Sequence, residues 1–150
     1  MEKAAHRWKV VDDIIVCFTE PNMPIPDDLW DDFLAELQDP KIQKVFSGTF
    51  GSVTLTGPQR RKAAGIVKNE DLATAVLVED KVTRAIIKVM SWTGKQMMSY
   101  RWSQIDEACA FLTDDDEQRS RLYAAVRDLG IESPHASESV RAATVKLSEL

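Results

Sequence analysis

Seven consecutive residues, Leu72–Val78 (LATAVLV), are apolar or threonine, and the run stops at Glu79-Asp80. A strand with one wet face alternates apolar and polar residues. A near-continuous apolar run is the pattern of a central strand covered on both faces, as in a parallel sheet. Amphipathic stretches flank it on both sides. Gln59–Lys68 puts Ala63, Ile66 and Val67 on one face, and Lys81–Trp92 does the same with Val82, Ala85, Ile86, Val89 and Met90. Strand and helix patterns that alternate in this way predict βαβ units with right-handed crossovers.

The rest of the chain extends that alternation. Two β-branched runs around Val10–Val11 and Ile14–Phe18 flank Asp12-Asp13 and predict an antiparallel hairpin. The three prolines of PNMPIP make a stiff loop. Asp27–Gln38 reads as a helix with a stripe of Leu29, Trp30, Phe33, Leu34 and Leu37, capped by Asp27 or Asp28 and ended at Asp39-Pro40. Val45–Phe46 begins a strand. Pro58 sits at the start of the next helix, with Thr56 or Gly57 as N-cap. Met97–Trp102 reads as a strand, and Ser103 with Asp106 resembles a capping box for a helix that turns Ile105, Ala108, Cys109 and Leu112 inward. The acidic block Asp114–Glu117 leads a last clear helix, to Leu129 with Gly130 as its stop. Ser137–Leu150 has few apolar residues, and 131–150 reads as a flexible tail. The expected order is ββαβαβαβα followed by an extra helix.

At 150 residues the chain is long enough to bury a core without disulfides or metal. A net charge of −5 and a pI near 5.1 argue against a nucleic-acid binder. Cys17 and Cys109 fall on apolar faces and read as buried, inert thiols in a reducing compartment. No window approaches 18 uncharged apolar residues, and the N-terminus carries no signal-peptide core, so no membrane span and a cytoplasmic location are expected.

The stretch Lys44–Lys68 (KVFSGTFGSVTLTGPQRRKAAGIVK) invites a phosphate-cradle reading, a strand passing through a glycine-containing loop into a helix. A Walker loop needs a lysine after its last glycine, and here Pro58 follows Gly57. A G-x-G-x-x-G fingerprint and a G-x-S-x-G elbow are both missing. His6 and His135 lie at opposite ends with no ligand spacing, and both are expected at the surface. No catalytic residue, cofactor or metal site is expected.

What the sequence does offer is segregated charge. Six acids and no base lie between Asp27 and Asp39. Four bases and no acid lie between Arg60 and Lys68, and five bases and no acid between Lys81 and Arg101. Such patches orient protein association. Ser52, Thr54, Thr56, Arg60, Arg61, Arg84 and Lys88 are accordingly the candidate partner- or anion-binding residues.

The strings TGPQRRKAAGI, LATAVLVEDKVTRAIIKVMSWTG and YRWSQIDEACAFL resemble the SpoIIAA-like branch of the bacterial STAS domain family. The likeness covers residues 8 to 113. It includes the Pro58, Gln59, Arg60 helix start and the stretch from Arg84 to Ser91-Trp92. The resemblance implies a mixed sheet with helices mainly on one face, over 1–113; the 114–130 helix lies outside the resemblance and is expected to pack on or beside that domain. The resemblance also implies a non-enzymatic, regulatory or scaffolding module that binds a partner protein or itself. Anti-sigma-factor antagonists of this family are switched by phosphorylation in an Asp-Ser motif, which this chain lacks. Ser52, Thr54 and Thr56 are the hydroxyls in the equivalent region, with Thr56 and Ser52 as the possible phosphosites. Two alternatives stand beside this: a binder of a nucleotide, anion or lipid head group at the same helix start, and a structural subunit of a larger assembly.

Overall fold

In the computed structural model, which describes residues 5–49, 51, 53–79, 81, 84 and 97–130, the chain starts with the expected hairpin. β1 (His6–Val11) and β2 (Ile14–Thr19) pair antiparallel, with Val11 opposite Ile14. Asp12 in the turn has a φ of 54°, a left-handed conformation that aspartate tolerates better than branched residues do. Its carboxylate meets Arg121 at 2.7 Å, and Asp13 accepts from Gln118 at 2.9 Å, so a distant helix secures the turn.

β3 (Lys44–Thr49), β4 (Ala73–Leu77) and β5 (Met97–Tyr100) then add in parallel, giving a five-stranded mixed sheet in the order β1-β2-β3-β4-β5. α1 (Asp27–Leu37) joins β2 to β3, and α2 (Gly57–Asn69) joins β3 to β4. After β5 come a single 3-10 turn (Trp102–Gln104), α3 (Ile105–Leu112) and α4 (Asp116–Gly130). The helix expected over Lys81–Trp92 lies almost wholly outside the described residues, and its two described positions, Lys81 and Arg84, are helical. The segment 131–150 lies outside them as well.

Both faces of the sheet are covered. Side chains alternate along a strand, so β2 sends Ile14, Val16 and Phe18 one way and Ile15 and Cys17 the other, and all six of its residues are buried. The even set joins Phe46, Ala75, Leu77, Trp102, α3 and α4, and the odd set joins Val45 and α1. This corrects the expectation of helices mainly on one face. Crossovers between successive parallel strands advancing in one direction fall on the same side, which accounts for α1 and α2. Among the described residues no strand follows β5. α3 and α4 are free to fold back and bury Ala108, Cys109 and Leu122, each fully, on the side left bare. The core is continuous across residue 113, because α4 shares it with β2 and α3.

Local signals were met in kind, with shifts at the ends. In place of the capping box expected at Ser103, the Arg101 N–H donates to Gln104 Oε1 at 3.0 Å, and Trp102 belongs to the 3-10 turn and not to a strand. The turn exists because Trp102 is drawn inward. It is 1% exposed, and its indole N–H donates to the Thr49 carbonyl at 2.8 Å. α1 begins after Pro26 with no side-chain cap. α4 is capped by Asp115, whose carboxylate accepts the Gln118 N–H at 2.8 Å.

His6, expected at the surface, is 2% exposed. The hairpin register sets it opposite Thr19, whose hydroxyl lies 2.9 Å from Nδ1. Its ring packs against Phe33 at 4.2 Å and Trp30 at 5.1 Å between centroids, with Trp8 beside them. Arg7 points to the other face. It pairs with buried Glu20 at 2.9 Å and donates to the Leu129 carbonyl at 2.7 Å, at the C-terminal end of α4 where a cation suits the helix dipole.

Candidate functional site

The start of α2 is built by a reciprocal cap. Thr56 Oγ1 accepts the Gln59 N–H at 3.2 Å, and Gln59 Oε1 accepts the Thr56 N–H at 3.0 Å. Gln59 does more than cap. It is 3% exposed, and its amide Nε2 donates to the Ile25 carbonyl at 2.8 Å and to Asp27 Oδ1 at 3.1 Å. Its own carbonyl accepts the Trp30 indole N–H at 3.1 Å. One glutamine thus clasps the start of α2 to the start of α1. Sequence reasoning saw it only as a letter in a helix-start motif. Its signal was a glutamine three residues after a capping threonine.

This geometry limits what the helix start can hold. Pro58, at the second helical position, has no N–H, the Gln59 N–H is taken by Thr56, and the Arg60 N–H bonds the Thr56 carbonyl at 3.0 Å. Among the described residues the Gly57 amide alone is left over in the first turn, whereas phosphate cradles use several. Two glycines of the stretch, Gly48 and Gly51, have packing roles. A Cβ on Gly48 would lie 2.9 Å from the Trp102 ring, and one on Gly51 would lie 2.7 Å from Pro21. The strand order also runs β2 to β5 without reversal, so the sheet has no switch-point crevice of the kind that receives dinucleotides.

The candidate residues separate accordingly. Arg60 and Arg61 are exposed on α2, and no ion pair joins either to an acid among the described residues. Lys62 meets Asp31 of α1 at 3.2 Å, so part of the charge segregation seen in the sequence is complementarity between two neighbouring helices. Thr54 is exposed in the loop before α2, and the Thr56 hydroxyl serves as the cap. Arg84 is half-buried, and its Nε has no hydrogen-bond partner. Ser52 and Lys88 lie outside the described residues.

Beside Arg60 is a cleft of about 400 Å³, which sequence reasoning missed. α2 supplies Ala63, Ala64 and Val67, the preceding loop Val53 and Leu55, and the start of β5 Met97. Thr49 and Val78 close it at the ends of β3 and β4, and Arg60 is the one charged side chain among its described lining. No local period marks such a space, because its walls come from segments far apart in sequence.

Burial has quieted the reactive side chains elsewhere. It pushes the Cys17 thiol up to about 12 and raises Cys109 as well, so neither is a ready thiolate. A histidine does sit in the folded body, contrary to expectation. Burial first, and the neighbouring Arg7 charge second, bring His6 down to about 3 and keep it neutral. Among the described residues no group of three or more His, Cys, Asp or Glu could hold a metal ion, and no helix is long and apolar enough to cross a membrane.

Comparison with protein-family models, with curated proteins and with solved structures finds no match.

Proposed function

We propose that the chain is a non-enzymatic interaction module of STAS-like type that docks an acidic partner surface on the exposed start of α2. The observation that carries this reading is the pair Arg60 and Arg61, exposed and without an acidic neighbour among the described residues, on a helix start that Gln59 holds rigid. A rigid base matters because ordering flexible cations on binding costs conformational entropy. Lys62, already paired with Asp31, belongs less to such a surface than the sequence implies. Recognition of an isolated phosphate at the helix start is the weaker reading, since the cap and Pro58 leave one amide for it.

The test compares proteins captured from a lysate by the wild-type chain and by the double variant Arg60→Glu/Arg61→Glu, with circular dichroism as a check on folding. Loss of specific partners from the folded double variant is the expected result. An unchanged set of partners removes the α2 start from the interface. Light scattering on the same samples reads self-association, the case in which the partner is a second copy.

A further inference from the structure

We infer that the cleft beside α2 binds a small amphiphile with one carboxylate head and an unbranched aliphatic body, a ligand that would share Arg60, but not Arg61, with the partner surface proposed above. At about 400 Å³ the cleft lies within the size range of small-molecule sites. Its described walls are aliphatic, with Val53, Leu55, Val67 and Met97 as the large side chains. Thr49 is the one hydroxyl in that lining, and it is already bonded to the Gly51 carbonyl at 3.1 Å. Among the described residues such walls offer few groups to the hydrogen-bonding edge of a nucleobase and suit a hydrocarbon chain.

The head group follows from the charge. Arg60 is the single cation of the described lining. A guanidinium matches a planar carboxylate through two parallel N–H···O bonds. A phosphate would call for further donors, and the adjoining helix start has only the Gly57 amide left. Among the described lining, one cation beside aliphatic walls therefore favours a monoanion with an apolar tail.

Decanoate, decanol and decyl phosphate are the probes, titrated below their aggregation limits and followed by calorimetry and amide chemical shifts. Decanoate is expected to bind the wild type saturably at one site, with shifts concentrated in 53–67, and more tightly than decanol. Arg60→Gln is expected to weaken decanoate about tenfold or more while leaving decanol unchanged, as loss of a charge-assisted bond requires. Ala64→Trp, which fills the cleft, is expected to abolish both in a protein whose circular dichroism is native. Lys62→Gln, outside the cleft, leaves decanoate affinity as it was. Failure of the folded wild type to bind decanoate overturns the inference, and so does equal affinity for decanoate in wild type and Arg60→Gln. Tighter binding of decyl phosphate than of decanoate overturns the carboxylate assignment.

Discussion

The two faces of the sheet are packed to different standards. On the α3/α4 face, Ile105, Ala108, Cys109 and Leu112 of α3 are all buried, and Leu122, Val126 and Leu129 of α4 join them around Phe18, Phe46 and Trp102. On the α1/α2 face, α1 is seated by Trp30, Phe33, Leu34 and Leu37, but Gln59 is the only buried residue of α2. Ala63, Ile66 and Val67 are half-buried, and the cleft opens beside them. One face is sealed by apolar side chains along both of its helices, with Arg7, Gln118 and Arg121 adding polar ties at its margins. The other is held at its ends by directed hydrogen bonds and by an aromatic cluster, and it is along such a face that a groove can persist. The sealed core and the open cleft are therefore divided between the two sides of one sheet.

Four measurements would break or sharpen that division. The largest effect is expected from truncation on the sealed face. Leu122→Ala should lower the unfolding free energy by about 2–5 kcal/mol in urea titration, whereas Val67→Ala on the open face should cost roughly 1 kcal/mol. Similar losses at both sites would refute the contrast.

Next is pH. His6 is held down to about 3 in the fold and returns to 6.5 when unfolded, so the unfolded state takes up the proton first. The contribution of neutral His6 is complete above 6.5 and is lost as pH falls from 6.5 toward 3. Near pH 5 that loss amounts to roughly 2 kcal/mol. His6→Phe keeps a ring against Phe33 and has no proton to gain, so its denaturation midpoint should change less between pH 7 and pH 5. An equal change in both proteins would mean that His6 is not the acid-sensitive group of this face.

Glycine replacement reads the same contrast through space. Gly48→Ala drives a Cβ into the Trp102 ring and should destabilise by about 1–3 kcal/mol. Gly65→Ala in α2 meets nothing within 4 Å and should stabilise by roughly 0.5–1 kcal/mol, as expected for removing a glycine from a helix. Thermal melts of the two variants should move in opposite directions. The smallest effect is at the cap. Thr56→Ala should cost about 1 kcal/mol and Thr56→Asp much less, since aspartate also accepts the Gln59 N–H. Equal losses for the two variants would show that the hydroxyl does not act as a cap.

Much of the architecture could be read from local pattern. The hairpin around Asp12-Asp13, the order of strands and helices over the described residues, the parallel pairing and the Thr56 cap are all present as anticipated. Each depends on neighbours two, three or four positions away, the reach of strand alternation, helix periodicity and capping. The apolar run at Leu72–Val78 already argued for a sheet covered on both sides, and it proved a better guide than the one-sided arrangement implied by family resemblance. The candidate site was legible only in part. Arg60 and Arg61 stand exposed where charge patterning put them, but Lys62 turned out to serve α1.

Alone, then, the sequence determined which of the described segments are strands and helices, their order, and the inward stripes of α1 and α3, because those properties are set by contacts local in the chain. Tertiary structure decided on which side of the sheet α3 and α4 lie, that His6 is buried, that Gly48 makes room for Trp102, and that a cleft opens beside Arg60. These depend on meetings such as Trp102 with Thr49, 53 positions apart, or Gln59 with Ile25, 34 apart. No local period encodes such a meeting. It is settled when two sets of half-buried surfaces compete for the same sheet and the closer-packed arrangement wins.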